Sequence, residues 1–164
     1  MSKPPRASPV VSTNLSTCRT FFVTSGTWER RQLFRSEPMA NLFLAVLYRY
    51  RAGSNFLLHE FTLMPEHFHL LVTLKPGMTV EKSVQLIKGG FSFRAAKDLG
   101  FKGEIWQRGF SEHQIRDARS FETRRAYIKK NAVNRGLVIR PEEYAYCCAF
   151  PGFGLDPFPL DTRG

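Results

Sequence analysis

The stretch Asn55–Leu74, NFLLHEFTLMPEHFHLLVTL, holds two apolar runs on either side of the dipeptide Pro65–Glu66. Runs of this length, rich in aromatic and branched residues and split by a two-residue turn, predict an antiparallel hairpin. Within the second run the residues alternate. Phe68, Leu70, Val72 and Leu74 point one way, while His67, His69, Leu71 and Thr73 point the other, because successive strand side chains face opposite sides. Both imidazoles therefore share a face, with Cα atoms about 6.8 Å apart. That spacing suits two ligands converging on one ion, although two ordinary core or surface histidines would show the same pattern.

Outward from the hairpin, the flanking segments alternate between strand and helix signals. RTFFVTSGTWERR reads as a first strand over about 19–28, with its β-branched and aromatic residues. A helix follows, with Ser36 as N-cap, Pro38 just inside it and Gly53 just past its end; Leu42, Phe43, Val46, Leu47 and Tyr50 form its apolar stripe. After the hairpin, Lys75–Met78 breaks the chain and Thr79 opens a second helix running to about Asp98. Its Gly89–Gly90 pair costs about 1 kcal/mol per residue in a helix interior. A kink there or a very close approach is expected. GEIWQRGFSEHQI reads as one or two short strands, and SFETRRAYIKKNAVNRG as a third helix with Ser120 as N-cap and Gly136 as its stop. The order β-α-β-β-α-β-α predicts a ferredoxin-like α+β sandwich, an antiparallel sheet with helices on one face.

Three regions are expected: a flexible N-terminal tail over 1–18, one domain over 19–140, and an aromatic, Pro/Gly-rich C-terminal tail over 141–164 that wraps the domain. At 164 residues, 43% of them hydrophobic, the chain suits one globular domain with a real core. No apolar run approaches the roughly 20 residues that span a bilayer, and the N-terminus lacks the apolar centre of a signal peptide. Cys18, Cys147 and Cys148 show no Cys-x-x-Cys spacing. A reduced, cytoplasmic protein with no membrane partner is the simplest expectation.

Charge narrows the function class. Residues 82–140 hold 14 Lys/Arg against 5 Asp/Glu, which places 9 of the chain's 10 net positive charges there. A region this basic attracts polyanions, of which nucleic acid is the commonest. On the third helix, Tyr127 and Asn131 lie one turn apart on nearly the same face. An amide oxygen from Asn131 can join His67 and His69 on one ion, with Tyr127 a turn away. Two imidazoles plus an oxygen, with positions left open, suit Mg²⁺ or Mn²⁺ polarising a phosphate. Catalytic zinc usually takes three stronger ligands.

MPEHFHLLV (64–72), LIKGGFSFR (86–94), WQRGF (106–110) and YIKKNAVNRGLV (127–138) resemble, in order and spacing, the single-tyrosine HUH transposases of the insertion-sequence 200/605 type. More closely, they are similar to the REP-associated tyrosine transposases, over about Arg19 to Tyr146. The resemblance implies that His67 and His69 are the HUH metal ligands, Tyr127 the nucleophile and Asn131 the third ligand. The family usually follows that Asn with Pro; Ala132 stands here, which should let the helix run on. The implied activity is cleavage and rejoining of single-stranded or hairpin-flanked repetitive DNA through a 5′-phosphotyrosine. Relatives occur as homodimers that share active sites and as monomers.

Single-stranded DNA also fits the residues around the site. Arg124, Arg125, Lys129 and Lys130 surround Tyr127, and Lys88, Arg94 and Arg108 interleave with Phe91, Phe93, Trp106 and Phe110, a mixture suited to phosphate contact and base stacking. Most of these aromatics are expected in the core. His59 and His113 match no motif and are expected to be structural. Two other readings compete: a domesticated single-stranded or hairpin DNA-binding protein without transposition, and a water-using metallohydrolase with Glu66 as ligand or base. The second leaves Tyr127 without a role.

Overall fold

In the computed structural model the hairpin forms around Pro65–Glu66: β2 (Phe56–Met64) and β3 (His67–Leu74) pair antiparallel. The structure describes residues 19–158, so the expected N-terminal tail and the last six residues lie outside the described residues. A register shift between Leu58 and Glu60 makes His59 an extra residue of β2. Such a bulge resets which side chains oppose each other. Here it puts Glu60, Thr62 and Met64 opposite Leu71, His69 and His67.

On the other side of β3 lies β1 (Thr20–Gly26), with Thr24 opposite His69 and Gly26 opposite His67. The short β4 (Ser111–Ile115) pairs with the far side of β1, giving the antiparallel order β2-β3-β1-β4. This is the order of a ferredoxin-like sandwich. The GEIWQRGFSEHQI segment supplies one strand and an isolated bridge between Thr27 and Trp106. Between β1 and the first helix, two 3-10 turns, Trp28–Arg30 and Leu33–Arg35, stand where the sequence signals were silent.

The two crossover helices share one face, as the element order predicts. Helix α1 (Glu37–Ala52) is capped by Ser36, whose side chain accepts from the Met39 N–H, and closed by Gly53. Helix α2 (Val80–Leu99) starts at Thr79, which accepts from the Lys82 N–H, and stops at Gly100 in the left-handed region. Their apolar faces meet the sheet through Phe43, whose ring centroid is 5.1 Å from Phe68 and 5.8 Å from Phe91. Helix α2 runs unbroken through Gly89–Gly90. Close approach explains Gly90, because a Cβ there would lie 2.6 Å from the Tyr50 hydroxyl of α1. Gly89 faces open space, and nothing in the structure explains it.

The third helix, α3 (Ala118–Asn134), packs across the sheet from α1 and α2, so the expectation of helices on one face holds for the crossover pair alone. Its cap also differs from the expected Ser120. Asp117 is the N-cap, and its carboxylate accepts from the Ser120 N–H at 2.8 Å. Either side chain can cap, and the helix simply begins one turn earlier, with Ser120 as the bonded donor. The helix runs uninterrupted through Ala132.

The C-terminal segment follows the outer edge of β2. Leu63 N–H donates to Tyr146 O, Cys148 N–H to Phe61 O and Asp156 N–H to Leu58 O. Arg51 holds Asp156 through two bonds of 3.0 Å. These contacts cover an edge that would otherwise present unpaired backbone groups. Among the described residues no helix is long and apolar enough to cross a membrane.

Candidate active site

His67 and His69 sit on the face of β3 that meets α3, and each is at least 94% shielded from solvent. Their rings are nearly perpendicular, and the two Nε2 atoms lie 3.0 Å apart. On the outer side of His69, Nδ1 lies 2.7 Å from the Thr24 hydroxyl supplied by β1. His67 Nδ1 lies 3.3 Å from Glu66 Oε2, close enough for the carboxylate's charge to favour a proton on that nitrogen. Burial lowers both imidazole pKa values. That of His69 falls to about 3, helped by His67 and Arg124. Both rings are therefore neutral at pH 7.

Helix α3 brings three residues, spaced four apart, along this pair. The Tyr127 ring meets His69 edge-on at 5.2 Å and Phe22 at 6.1 Å. Although it touches this buried cluster, Tyr127 is 45% exposed, and its hydroxyl bonds to no described residue. Two turns on, Arg135 reaches Glu66 at 3.0 Å, beside His67. Asn131 lies between them on the same helix face, buried, with its Oδ1 lacking any hydrogen-bond partner. A buried amide oxygen without a partner is costly and calls for one.

The donor set fits a divalent cation. If His69 donates its Nδ1 proton to Thr24 and Glu66 keeps the proton of His67 on Nδ1, both Nε2 lone pairs face each other. That arrangement is repulsive unless something positive lies between them. Two nitrogens about 2.1 Å from one ion, at right angles, would be about 3.0 Å apart. The unpartnered Asn131 Oδ1 is a hard donor of the kind Mg²⁺ and Mn²⁺ accept. Among the described residues no group of three His, Cys, Asp or Glu that could hold a metal ion occurs.

Glu66 is differently engaged. Its carboxylate is bonded by Arg30 at 3.3 Å and by Arg135, which reaches both oxygens. These oxygens are occupied by cations, an unfavourable setting for a general base. Sequence reasoning passed over Thr24, Arg30, Arg135 and Phe22. Only the β1–β3 register brings Thr24 to His69, and only folding brings the two arginines to Glu66. His113, expected to be structural, is exposed on β4 on the same sheet face as the pair, with its ring 6.5 Å from Phe22. His59 is buried between Thr73 and the Asp156 carbonyl.

The basic stretch divides in space. Arg124 lies 4.6 Å over the Phe22 ring at the histidine site, and Lys129 and Lys130 follow on α3. Arg125 faces away from Tyr127 toward buried Glu60, which it pairs at 2.9 Å. Lys88 and Arg94 belong to α2, across the sheet. Lys88 donates to the carbonyls of Gln107 and Gly109, and Arg94 pairs with Asp98. Arg108 is exposed in the segment before β4. Phe91 is fully buried, Trp106 packs on the core and Phe110 is half-buried, which leaves Phe93, 65% exposed, as the open aromatic of this group.

Residues 16–131 match the family described as Transposase IS200 like. Over 158 residues the chain is 25% identical to the REP-associated tyrosine transposase of Escherichia coli K12, with 92% of each chain covered. The fold is similar to that of a REP-associated tyrosine transposase bound to a REP hairpin, with TM-score 0.68 and 24% identity over 90% of this chain and 82% of that one. A candidate transposase from Deinococcus radiodurans R1 shares the fold at TM-score 0.52 and 18% identity, over 79% of this chain and 97% of that one.

Proposed function

The chain belongs to the IS200-like transposase family, and we propose that it cleaves and rejoins single-stranded DNA flanking repetitive hairpins through a 5′-phosphotyrosine on Tyr127. One observation carries this reading: an exposed tyrosine packs edge-on against His69, whose Nε2 faces that of His67 at 3.0 Å. A purely structural histidine pair has no need of a solvent-open phenol, and a hydrolase has no use for it. The hairpin substrate is carried over from the solved relative, which is bound to a REP hairpin.

His67, His69 and Asn131 would hold a divalent ion, Mg²⁺ or Mn²⁺, which when bound neutralises a nonbridging phosphate oxygen and makes the phosphorus more electrophilic. The chain's own groups do the rest. Thr24 and Glu66 hold the imidazoles in the tautomers that turn both Nε2 atoms inward. Burial keeps both rings unprotonated, so neither repels a cation at neutral pH. Tyr127, placed by α3, presents its hydroxyl to a strand lying over the site. A neutral phenol is a weak nucleophile, so Tyr127 has to give up its proton as it attacks.

The phenolate oxygen forms a bond to phosphorus as the 3′-oxygen leaves, taking up a proton. The DNA 5′ end is then held on the protein as a phosphodiester. Because no water has entered, the bond keeps its energy, and a later 3′-hydroxyl can displace Tyr127 and reseal the strand. Cutting and joining are one reaction run in two directions.

Incubating the protein with labelled single-stranded hairpin DNA and Mn²⁺ tests this directly. The expected product is an adduct that survives denaturation and is absent with Tyr127→Phe, which still binds the DNA. Cleavage by the Phe variant at the normal rate would make water the nucleophile. Tight hairpin binding by a wild-type protein that never forms the adduct would mark a domesticated binder.

A further inference from the structure

At the end of β1 the chain makes a strained turn beside the histidines. Glu29 has φ 56° and Arg30 φ 55°. Residues with a Cβ seldom enter this left-handed region, and two in succession do so only where the surroundings hold them. Here they do. Thr27 N–H donates to Glu66 O, Trp28 N–H to Ile105 O and Gln107 N–H to Gly26 O, at 2.9, 2.9 and 3.0 Å.

What the turn delivers is the Arg30 guanidinium. It bonds Glu66 Oε2 at 3.3 Å, the same oxygen that lies 3.3 Å from His67 Nδ1. Gly26, opposite His67 in the sheet, leaves room for it. A Cβ at Gly26 would lie 2.8 Å from Arg30 Nη1. Held on one side by Glu66, the Arg30 side chain is still 63% exposed and has N–H groups left to offer. Its charge is felt by both imidazoles, whose pKa values it helps to lower.

Building on the transposase reading, we propose that Arg30 is a catalytic residue that grips a nonbridging oxygen of the scissile phosphodiester, with Glu66 aiming it and Gly26 making room. A guanidinium presents paired N–H donors that match phosphate oxygens. As the Tyr127 oxygen closes on phosphorus, negative charge grows on those oxygens, so a fixed cation there binds the transition state better than the substrate. Arg30 exchanges no proton in the step.

Two readouts on the full chain with labelled hairpin DNA and Mn²⁺ test the assignment: the adduct rate at saturating DNA, and the salt dependence of binding. Arg30→Ala should slow the adduct on the order of 10²-fold and flatten the log–log salt slope by about 0.7. Arg30→Lys, which keeps the charge on an exposed side chain, should recover part of the rate. Gly26→Ala, which displaces the guanidinium while leaving Arg30 in place, should slow the adduct as well. Arg35→Ala removes the same charge from the neighbouring turn, where it bonds only Gln32, and should leave the rate unchanged. An Arg30→Ala protein with normal rate overturns the proposal, whatever its slope. A wild type that forms no adduct, while Arg30→Ala still flattens the slope, sinks the transposase reading but keeps Arg30 on a phosphate.

Discussion

The two faces of β3 are made by alternate residues of one eight-residue strand, and every one of the eight is buried. On one face Phe68, Leu70, Val72 and Leu74 meet the apolar sides of α1 and α2. On the other, His67, His69 and Thr73 are nearly as well shielded, yet each meets a polar group: Glu66, Thr24 and the His59–Thr20 pair. Depth of burial does not distinguish them. The first face gains stability from dispersion and from water released. The second spends part of that gain on fixing the direction of two lone pairs. On the proposed function, stability and chemistry occupy opposite sides of a single strand.

Substitutions on the two faces should separate these roles. His67→Ala or His69→Ala should lower adduct formation on the order of 10³-fold. Stability should change by no more than about 1 kcal/mol, since the facing lone pairs go with the ring. Denaturant unfolding and the adduct assay check both halves. A large loss of stability would mean that the polar face is part of the core after all.

Phe68→Ala should do the converse. Removing a fully buried ring that packs on Phe43 and Trp106 should cost about 3–5 kcal/mol. The fraction that remains folded should form adduct within a few-fold of the normal rate. If the adduct rate collapses in protein shown to be folded, the two faces are mechanically coupled.

Smaller effects sharpen the distinction. Thr24→Val keeps the shape of the side chain and deletes its bond to His69 Nδ1. Mn²⁺ affinity, measured by calorimetric titration, should fall roughly 10-fold or more, with little change in unfolding. Equal affinity would show that another group sets the tautomer. At the far side of the sheet, Thr79→Ala removes the α2 cap and should cost about 1 kcal/mol. The adduct rate should not move, and a drop would tie α2 to the catalytic face.

The sequence by itself determined what short-range rules govern. Period-two alternation placed His67 and His69 on one face, and capping residues set both ends of α1 and the start of α2. Helical spacing put Tyr127 one turn from Asn131, and the quoted motifs marked the transposase resemblance. The tertiary structure decided everything that depends on which distant segments pair. It set the bulge at His59 and the packing of α3 on the face opposite α1 and α2. It also placed Lys88 and Arg94 across the sheet from Tyr127. Thr24 reaches His69 across 45 residues, and Arg30 and Arg135 reach Glu66 across 36 and 69. Propensity and periodicity act within a few residues and are written locally. Strand register and the closing of an ion pair are settled only when the whole chain finds one packing that satisfies its buried polar groups together.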